Sequence, residues 1–475
     1  PVVLLGATGP VDAAKRRPWI DWIHTAADQG ALIRGYSKWD DQPASPLAAY
    51  EAILRANWIA NTAPRGPTYV NLDAGMQEAK LAEPFTPPDA KRLMPDVADA
   101  APPAMIAKAA ELLRAARRPV ILAGRVSRSE AAWAARVALA ERLGAMVVTD
   151  LKVGAAFPTD HPLHAGAPGT IAPVAEALDA IRAADVILSL DWVDLAGTLA
   201  KQVGEHKASV IQVTVDHQLH NGWSLDYQGL PPIDVLLACE PDTAVAALLD
   251  ALGPGKATLA ARAASDFKPA GDKLNVDHVA VALRKALGNR TVSLTHLPLS
   301  WDGRSWPFRH PLDYLGGDGG GGIGGGPGIS VGAALALKGS GRMAVAICGD
   351  GDFLMGATAI WTAAHYRIPL LMVVANNRSF FNDELHQERV ARMRNRPIEN
   401  RWVGQRISEP DIDIAAIARA QGATAFGPVT EIGQLPSVFA EAIAAVEAGE
   451  VVVIDARVEP GYSPAMTAVL ARKSD

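Results

Sequence analysis

Two side chains with oxygen donors, Asp350 and Asn377, follow apolar runs that have the composition of buried parallel strands, residues 343–348 and 370–375. An amphipathic segment between the runs predicts a helix, and hence a βαβ unit that places both side chains at one edge of a sheet. Ligands of such sheets bind at the carboxyl ends of the strands, where helix N-termini attract anions. A carboxylate, an amide and a backbone carbonyl just after Asn377 suit octahedral Mg²⁺. The pattern therefore predicts a site for Mg²⁺ that bridges two phosphates.

The same residues also have a purely structural interpretation. Gly349, Asp350 and Gly351 form a sequence typical of a tight turn, and the asparagines at 376 and 377 are typical of a loop. Either motif taken singly favours the turn. Because both follow neighbouring strands of one predicted sheet, the combination favours the ligand site.

A glycine-rich run at residues 316–328 is the second candidate for ligand binding. Its backbone can approach a ligand closely or adopt positive φ, and an Ala-rich helix is predicted to start near Ile329. The Walker pattern is absent, and no acidic residue stands where a dinucleotide-binding fold requires one. A flexible linker is the alternative. Linkers are usually mixed with Ser and other polar residues, whereas this run contains Ile323 and leads directly into the helix.

These motifs resemble those of the thiamine diphosphate (ThDP) enzymes. The residues 349–351, followed after a helix by residues 376–377, are similar to the motif that defines the family, and residues 361–364 and the Gly-Gly-Ile-Gly loop resemble its benzoylformate decarboxylase and acetolactate synthase branch. The resemblance covers the whole chain and implies an α/β fold of three doubly wound parallel-sheet domains. Residues 1–90 resemble the second half of the pyrimidine-binding (PYR) domain plus a linker, residues 91–265 the central nucleotide-fold-like domain, and residues 266–475 the diphosphate-binding (PP) domain.

The resemblance also implies ligands for two cofactors, ThDP and Mg²⁺. Mg²⁺ would be coordinated by the side chains of Asp350 and Asn377 and by the carbonyl of Ser379. Ile323 matches the position whose apolar side chain holds the two rings of the cofactor in a V shape, which places the pyrimidine amino group next to the thiazolium C2–H so that this proton can be removed. The thiazolium ring then takes up the electrons released when CO₂ leaves. The residues implied to bind ThDP are Gly321, Gly322, Ile323, Gly349, Gly351, Asp352, Phe353, Asn377, Ser379 and Phe380.

Two features depart from the family pattern. A glutamate in the first half of the PYR domain drives tautomerisation of the cofactor in the family, and neither Glu51 nor Glu78 matches it. The chain opens without Met or a signal peptide at residues 1–6, an apolar run predicted to be a buried strand, so we expect an N-terminal piece to precede it. The second departure is Asp352, where many relatives have a small residue. An added carboxylate repels a diphosphate unless it turns away or is neutralised.

Three residues are candidates for proton transfer or substrate contact. By the resemblance, Asp383 matches an acid of related decarboxylases and is the first candidate, and His386 is the second candidate. The alternative for residues 382–384 is a charged, solvated helix start in which they cap the helix. His296 follows a predicted strand at residues 291–294, so it lies at a carboxyl-terminal strand edge. A structural hydrogen-bond partner is the alternative for this histidine. Two interpretations are open for Trp301 and its aromatic neighbours: they line a substrate pocket, or they pack a loop against the core.

The length and composition of the chain predict the number of domains and exclude several classes of protein. A chain of 475 residues is expected to contain about three domains. The formal net charge of −6 excludes a general basic field for nucleic acid or anionic lipid. Cys239 and Cys348 are the only cysteines, which excludes a disulfide scaffold and predicts a cytoplasmic protein.

The alternation of apolar runs and amphipathic segments predicts the strands and helices that position the site. Strands are predicted at residues 119–124, 146–149, 185–190, 209–213 and 451–454, and helices at residues 106–116, 130–143 and 242–252. A proline-rich linker at residues 83–88 and a polar connector at residues 264–275 separate the three parts. This order predicts parallel sheets that are covered on both faces.

The sequence therefore suggests a ThDP- and Mg²⁺-dependent lyase that decarboxylates a small-molecule 2-oxo acid. The enamine would be protonated to an aldehyde or joined to a second carbonyl by carboligation. By the resemblance the active site forms between subunits of a homodimer or homotetramer. One alternative is an acetolactate synthase-like carboligase, a transferase, although residues 91–265 lack a glycine-rich fingerprint for FAD. The other is a non-catalytic or truncated homologue.

Overall fold

The computed structural model describes residues 2–461 apart from residues 82, 85, 88, 96–98, 217–228, 256–266 and 318–321. The strands of this described part are β1 Val3–Thr8, β2 Trp39–Asp41, β3 Thr68–Asp73, β4 Pro119–Ala123, β5 Met146–Val148, β6 Val186–Leu190, β7 Ser209–Val213, β8 Val235–Leu237, β9 Val292–His296, β10 Met343–Gly349, β11 Leu370–Asn376, β12 Thr424–Val429 and β13 Val451–Arg457. Its α-helices are α1 Pro46–Asn61, α2 Ala74–Gln77, α3 Ala90–Leu93, α4 Pro103–Ala115, α5 Glu130–Leu143, α6 Ala175–Ala183, α7 Leu195–Gly197, α8 Pro241–Leu252, α9 Val276–Leu287, α10 Gly325–Leu337, α11 Asp350–Gly356, α12 Ala359–His365, α13 Phe381–Met393, α14 Ile414–Ala420 and α15 Leu435–Glu447.

The strands form three separate sheets. Their orders are β1-β3-β2, β5-β4-β6-β7-β8 and β12-β13-β11-β10-β9. Every pair of neighbouring strands in the described sheets is parallel. Parallel neighbours require crossover connections, which the intervening helices supply. The predicted α/β class with three parallel sheets is confirmed.

The first sheet differs from the sequence prediction in its burial. Residues 1–6 were expected to form a buried strand, but Leu4 and Leu5 of β1 are 46% and 58% exposed. Among the described residues, β1 is an edge strand of its sheet, with a hydrogen-bonded neighbour on one side only. The prediction of a buried strand is therefore wrong, because an apolar run by itself does not reveal whether a strand is central or at an edge. Helix α1 packs Ala52 and Ala56 against Val70 of the central strand β3.

The second sheet is apolar on both faces. Ile121 of β4 contributes to a core with helices α4, α5 and α8, whereas its neighbours Val120 and Leu122 contribute to a second core with α6. Successive side chains of a strand point to opposite faces, so both cores use the same strand. This explains why the strands of this sheet are continuous apolar runs rather than alternating patterns.

The third sheet has the same construction and carries the candidate site. Val345 and Ile347 of β10 pack with helices α9 and α15, while Ala346 and Cys348 pack on the other face with α10, α12 and α14. Fully burying a large apolar side chain stabilises a fold by about 1.5–3 kcal/mol, so this double core holds the strand ends rigidly. A rigid edge is what a precise ligand site requires.

Most predicted elements are present, with small differences at their ends. Helix α10 begins at Gly325 rather than near Ile329. Residues 322–326, called the glycine turn below, lead into this helix, and a side chain described below accepts hydrogen bonds from their amides. Two helices, α11 and α12, connect β10 to β11 where one was expected. Within the described residues, no helix combines the length and the apolar character needed to cross a membrane.

Candidate cofactor and metal site

Three neighbouring strands of the third sheet end side by side. β10 pairs with β11 on one side and with β9 on the other. The last residues of these strands are His296, Gly349 and Asn376. The chemically active residues suggested by the sequence therefore share one sheet edge, the edge at which parallel α/β sheets bind ligands.

The predicted metal ligands converge at this edge. Asp350 Oδ2 and Asn377 Oδ1 accept hydrogen bonds from the same donor, the backbone N–H of Ser379, at 3.1 and 2.9 Å. Asp350 Oδ1 accepts the N–H of Gly351 at 3.0 Å. The two side-chain oxygens thus face one small region next to the backbone of Ser379. The structure brings together all three residues that the sequence suggested for Mg²⁺.

Asp350 is electrostatically suited to a cation. Its side chain is buried, with 3% exposed. Burial raises the pKa of the carboxyl group to about 6, although backbone N–H donors, including those of Gly351 and Ser379, oppose the shift. No basic side chain forms an ion pair with Asp350 in the described part of the chain. A buried carboxylate without a positive partner is costly, so a divalent cation fits this donor set.

Open space lies beside the metal ligands. A Cβ atom added at Gly349 would meet no atom within 4 Å. Gly322 is likewise open, and Ile323 is 52% exposed. The predicted cofactor residue Gly321 lies outside the described residues. No described side chain therefore fills the positions next to Gly322 and Gly349.

Phe353 and Phe380 occupy different positions around this space. Phe353 is fully buried in the core shared by α10 and β10, so only its backbone remains for a ligand. Phe380 is half-buried, and its ring fills the position next to Gly351. The sequence grouped both with the cofactor-binding residues, and the structure brings only the ring of Phe380 to the loop.

Replacing Gly351 with alanine is expected to disturb the site. A Cβ atom at this position would lie 2.2 Å from the Phe380 ring, so the ring must move. Overpacking of this kind costs about 1–3 kcal/mol. Chemical denaturation and ThDP titration should therefore both show a loss for Gly351→Ala. Gly332→Ala is the matched control, because a Cβ atom there would meet no atom within 4 Å, and equal losses for both variants would contradict the packing argument.

Asp352, the residue that departed from the family pattern, lies against the glycine turn and His296. Its Oδ1 accepts the N–H groups of Gly324 and Gly326 at 2.7 and 3.2 Å, and its Oδ2 lies 3.1 Å from Nε2 of His296. Burial raises the pKa of Asp352, but the interactions with His296 and the glycine amides outweigh it, and the pKa lies below its ordinary value. The two amide N–H groups partly offset the negative charge of this carboxylate.

Two further contributors were not found from the sequence. Asn376 donates to Asp455 Oδ1 at 2.8 Å and accepts the N–H of Arg378 at 3.2 Å. Arg378 has φ of +57°, and this turn directs the following Ser379 back toward Asp350. The two consecutive asparagines in the sequence could have indicated that Asn376 shapes this turn. For Asp455 the sequence offered only its position directly after a predicted strand.

Glu384 was also missed from the sequence. It is 5% exposed and accepts a hydrogen bond from Ser379 Oγ at 2.5 Å. The guanidinium groups of Arg401 and Arg406 lie 3.9 and 4.0 Å from its carboxylate. The alternative interpretation of the sequence placed a solvated, charged helix start at residues 382–384. That alternative is wrong for Glu384, because α13 begins at Phe381 and the carboxylate is buried against residues 377–380, called the metal loop below.

The predicted catalytic residues are placed differently from one another. His296 joins the site through Asp352. Asp383 is half-buried in the first turn of α13, and His386 is exposed on the same helix. Neither Asp383 nor His386 has a side-chain hydrogen bond or ion pair with another described residue. Trp301 and its aromatic neighbours belong to the buried core, which favours packing over a substrate pocket.

Comparison with known families agrees with this geometry. Residues 299–456 match the family described as "Thiamine pyrophosphate enzyme, C-terminal TPP binding domain", and residues 106–221 match "Thiamine pyrophosphate enzyme, central domain". Thiamine pyrophosphate is another name for ThDP. Asp350, Asn377 and Ser379 lie inside the first match, and His296 lies just before it.

The alignments with individual relatives cover only part of each relative's length. A probable 2-ketoarginine decarboxylase of Pseudomonas aeruginosa is 27% identical over 363 residues, which are 75% of this chain and 62% of that protein. Sulfoacetaldehyde acetyltransferase of Alcaligenes xylosoxydans xylosoxydans is 30% identical over 323 residues, which are 60% of this chain and 53% of that protein. The match thus spans less than two thirds of the length of either relative.

A solved structure shares the fold. The ThDP-dependent 4-hydroxybenzoylformate decarboxylase of Rhodococcus jostii RHA1 superimposes with a TM-score of 0.78 at 22% sequence identity. The alignment covers 98% of this chain and 83% of that one. At this identity the likeness establishes a common architecture of three parallel-sheet units.

Proposed function

Because the chain belongs to the thiamine pyrophosphate enzyme family, we propose that it is a ThDP- and Mg²⁺-dependent lyase that decarboxylates a 2-oxo acid. The observation that carries this proposal is the buried Asp350 carboxylate, which has no basic partner among the described residues and converges with Asn377 on the amide of Ser379. A decarboxylase among the relatives supports the reaction type.

Each residue of the site has a proposed role. Asp350 and Asn377 hold Mg²⁺ through side-chain oxygens, and Ser379 holds it through its carbonyl oxygen. Ile323, the backbone of the glycine turn, Gly351 and Phe380 would bind ThDP. When bound, ThDP supplies an electron sink for the carbanion that loss of CO₂ creates. The protein's own contribution is to bind, orient and exclude water.

Proton transfer is proposed for side chains at the rim. His296 lies at the sheet edge and is held by Asp352, so it can hold or return a proton at a substrate oxygen or carbon. Asp383 and His386 project from α13, which directly follows the metal loop. They are proposed as substrate contacts or secondary proton donors.

Carboligation is a second candidate reaction. The similarity to a sulfoacetaldehyde acetyltransferase favours it, because that protein's name describes transfer to an acceptor rather than release of an aldehyde. We also propose the division into residues 1–90, 91–265 and 266–475, and a homodimer or homotetramer in which a PYR domain completes the site. A non-catalytic homologue that binds the cofactor without turnover is the remaining alternative.

Calorimetric titration of ThDP with and without Mg²⁺ is the first test. We expect saturable binding that requires the metal, because the diphosphate and the two side-chain oxygens share it. A screen of 2-oxo acids for CO₂ release should then be run with and without an acceptor aldehyde. Release without acceptor identifies a decarboxylase, and dependence on acceptor identifies a carboligase. Binding without any turnover would support the non-catalytic alternative, and no binding by a protein that includes the complete PYR domain would contradict the proposed site.

A further inference from the structure

Three side chains of the kinds that bind transition metals converge where the third sheet ends. His296 is the last residue of β9, Cys348 stands one residue before the end of β10, and Asp352 lies in the first turn of α11. A nitrogen of the histidine ring, the cysteine sulfur and a carboxylate oxygen all lie within 4.8 Å of one another. Cys348 is fully buried, and the side chains of the other two are only 16% and 12% exposed. Water is therefore largely excluded from the space between them.

The contact between Asp352 and His296 is not a hydrogen bond. Oδ2 of Asp352 lies 3.1 Å from Nε2 of His296, yet this oxygen is buried and has no hydrogen-bond partner among the described residues. Oδ1 of the same carboxylate accepts the N–H groups of Gly324 and Gly326. A buried carboxylate oxygen without a partner is costly. Two ligand atoms that lie this close without a hydrogen bond between them are arranged like ligands of one cation.

We infer that His296, Cys348 and Asp352 form a second metal site, which takes Zn²⁺ or an ion of the same class. Tetrahedral Zn²⁺ has bonds of about 2.0–2.3 Å to imidazole nitrogen, carboxylate oxygen and thiolate sulfur, which places its ligand atoms about 3.3–3.7 Å apart. The three ligand atoms are already close to these separations, so small side-chain rotations complete the geometry. Three protein ligands leave the fourth position of the ion for water or another oxygen ligand.

The ligand types distinguish this site from the proposed Mg²⁺ site, although Asp350 and Asp352 are both in the first turn of α11. Asp350 accepts the amide of Ser379, whereas Asp352 accepts the amides at the start of α10. The two carboxylates therefore face different segments of the chain. Mg²⁺ prefers a shell of oxygen ligands, whereas thiolate and imidazole favour Zn²⁺. One sheet edge thus presents two sets of ligands that suit different ions.

The surroundings of the three side chains also suit a bound ion. The amides of the glycine turn hold Oδ1 of Asp352 and so orient Oδ2 toward the other ligands, as groups behind metal ligands commonly do. A Cβ atom at Gly326 would lie 2.0 Å from this Oδ2 and 2.9 Å from Nε2 of His296, so the close approach of the helix start requires glycine. On binding, the thiol of Cys348 releases its proton to solvent, and the divalent ion balances the thiolate and the carboxylate.

This inference does not depend on the proposed function. Metal binding is measured on cofactor-free protein, so it can succeed or fail independently of ThDP binding. Coordination occupies Nε2 of His296 and leaves Nδ1 as the nitrogen that can carry a proton. The proton transfer proposed above for His296 must therefore use Nδ1 while the ion is bound.

Cobalt substitution tests the site, because Zn²⁺ has no visible spectrum and Co²⁺ accepts the same ligands. The protein is stripped of metal with a chelator, kept reduced, and titrated with CoCl₂ in excess Mg²⁺, which fills sites made of oxygen ligands. We expect one tightly bound Co²⁺ per chain, with the visible bands of a tetrahedral ion and a thiolate-to-cobalt charge-transfer band in the near ultraviolet. Added Zn²⁺ should remove both signals by displacing Co²⁺.

Variants assign the bands to individual ligands. Cys348→Ser should abolish the charge-transfer band, and His296→Gln should weaken Co²⁺ binding on the order of 100-fold or more, because each removes a direct ligand. Cys239→Ser is the matched control, since Cys239 is the other cysteine of the chain and is equally buried, in the core of the second sheet. Asp350→Asn is the control for the proposed Mg²⁺ site. Both control variants should keep the band.

Thermal unfolding with and without Zn²⁺ is the second measurement, and it also shows that each variant is folded. Zn²⁺ should raise the midpoint of the wild type but not that of His296→Gln, because an ion that binds only the folded state stabilises it. Absence of the charge-transfer band in the wild type would overturn the inference, whether or not any variant folds. A band that persists in Cys348→Ser, or that is lost in folded Cys239→Ser or Asp350→Asn, would overturn it as well.

Discussion

Asp350→Ala is expected to abolish the Mg²⁺-dependent part of ThDP binding. The substitution removes the only charged group among the three proposed metal ligands, at a buried position where water cannot easily replace it. We expect the dissociation constant measured by calorimetry in the presence of Mg²⁺ to rise by about 100-fold or more. Unchanged affinity would contradict the assignment of Asp350 as a metal ligand.

A conservative change at the neighbouring ligand is the matched control. Asn377→Asp keeps an oxygen at the position that converges on the Ser379 amide, whereas Asn377→Ala removes it. Metal-dependent binding should survive in the first variant and weaken in the second. Circular dichroism and thermal unfolding of all variants exclude a general loss of structure.

The pH dependence of Asp350 has a definite sign. The pKa of this carboxyl is raised from 3.8 to about 6 in the cation-free protein, chiefly by burial. The folded state therefore holds the proton more tightly than the unfolded chain, and the stability from this group is lost as the pH rises through about 6. Relative to the wild type, cation-free Asp350→Asn should gain up to about 3 kcal/mol of unfolding free energy between about pH 4 and pH 7. Mg²⁺ affinity of the wild type should fall below about pH 6, since the proton competes with the metal.

Glu384→Ala is expected to have the next largest effect on metal binding. Its carboxylate accepts the hydroxyl of Ser379 at 2.5 Å, and Ser379 is the residue whose carbonyl is proposed to bind Mg²⁺. Loss of this contact leaves the hydroxyl without its buried partner and frees the metal loop. Groups that orient metal ligands typically affect affinity by about 10–100-fold. Calorimetry with Mg²⁺ and ThDP should show a loss in this range.

Two variants separate orientation from charge in this prediction. Glu384→Gln retains an oxygen that can accept the Ser379 hydroxyl, so most of the affinity should remain. Glu388 lies one turn further along α13 and shares Arg401 with Glu384, but its described contacts are with Arg392 and Arg401. Glu388→Ala should therefore leave metal affinity nearly unchanged. Equal losses in Glu384→Ala and Glu388→Ala would contradict an orienting role for Glu384.

The parallel sheets and the place of the metal ligands could be predicted from the sequence. Strands such as residues 343–348 are continuous apolar runs because helices cover both of their faces, and the run ends where the sheet ends. Asp350 and Asn377 follow two such runs. Their convergence then follows from the parallel pairing of neighbouring strands, which the chain order already implied.

Other features depended on contacts between segments that are distant in the chain. The sequence flagged Asp352 as a source of repulsion, because it could not reveal that His296 and the glycine turn surround it. Glu384 looked like a solvated cap for the same reason, since its burial depends on Ser379 and on arginines further along the chain. Local sequence determined the strands and the positions of their terminal residues, whereas tertiary packing decided which donor each buried carboxylate meets. Packing governs this choice because a buried charge requires a partner in space, and the spacing of residues along the chain does not specify one.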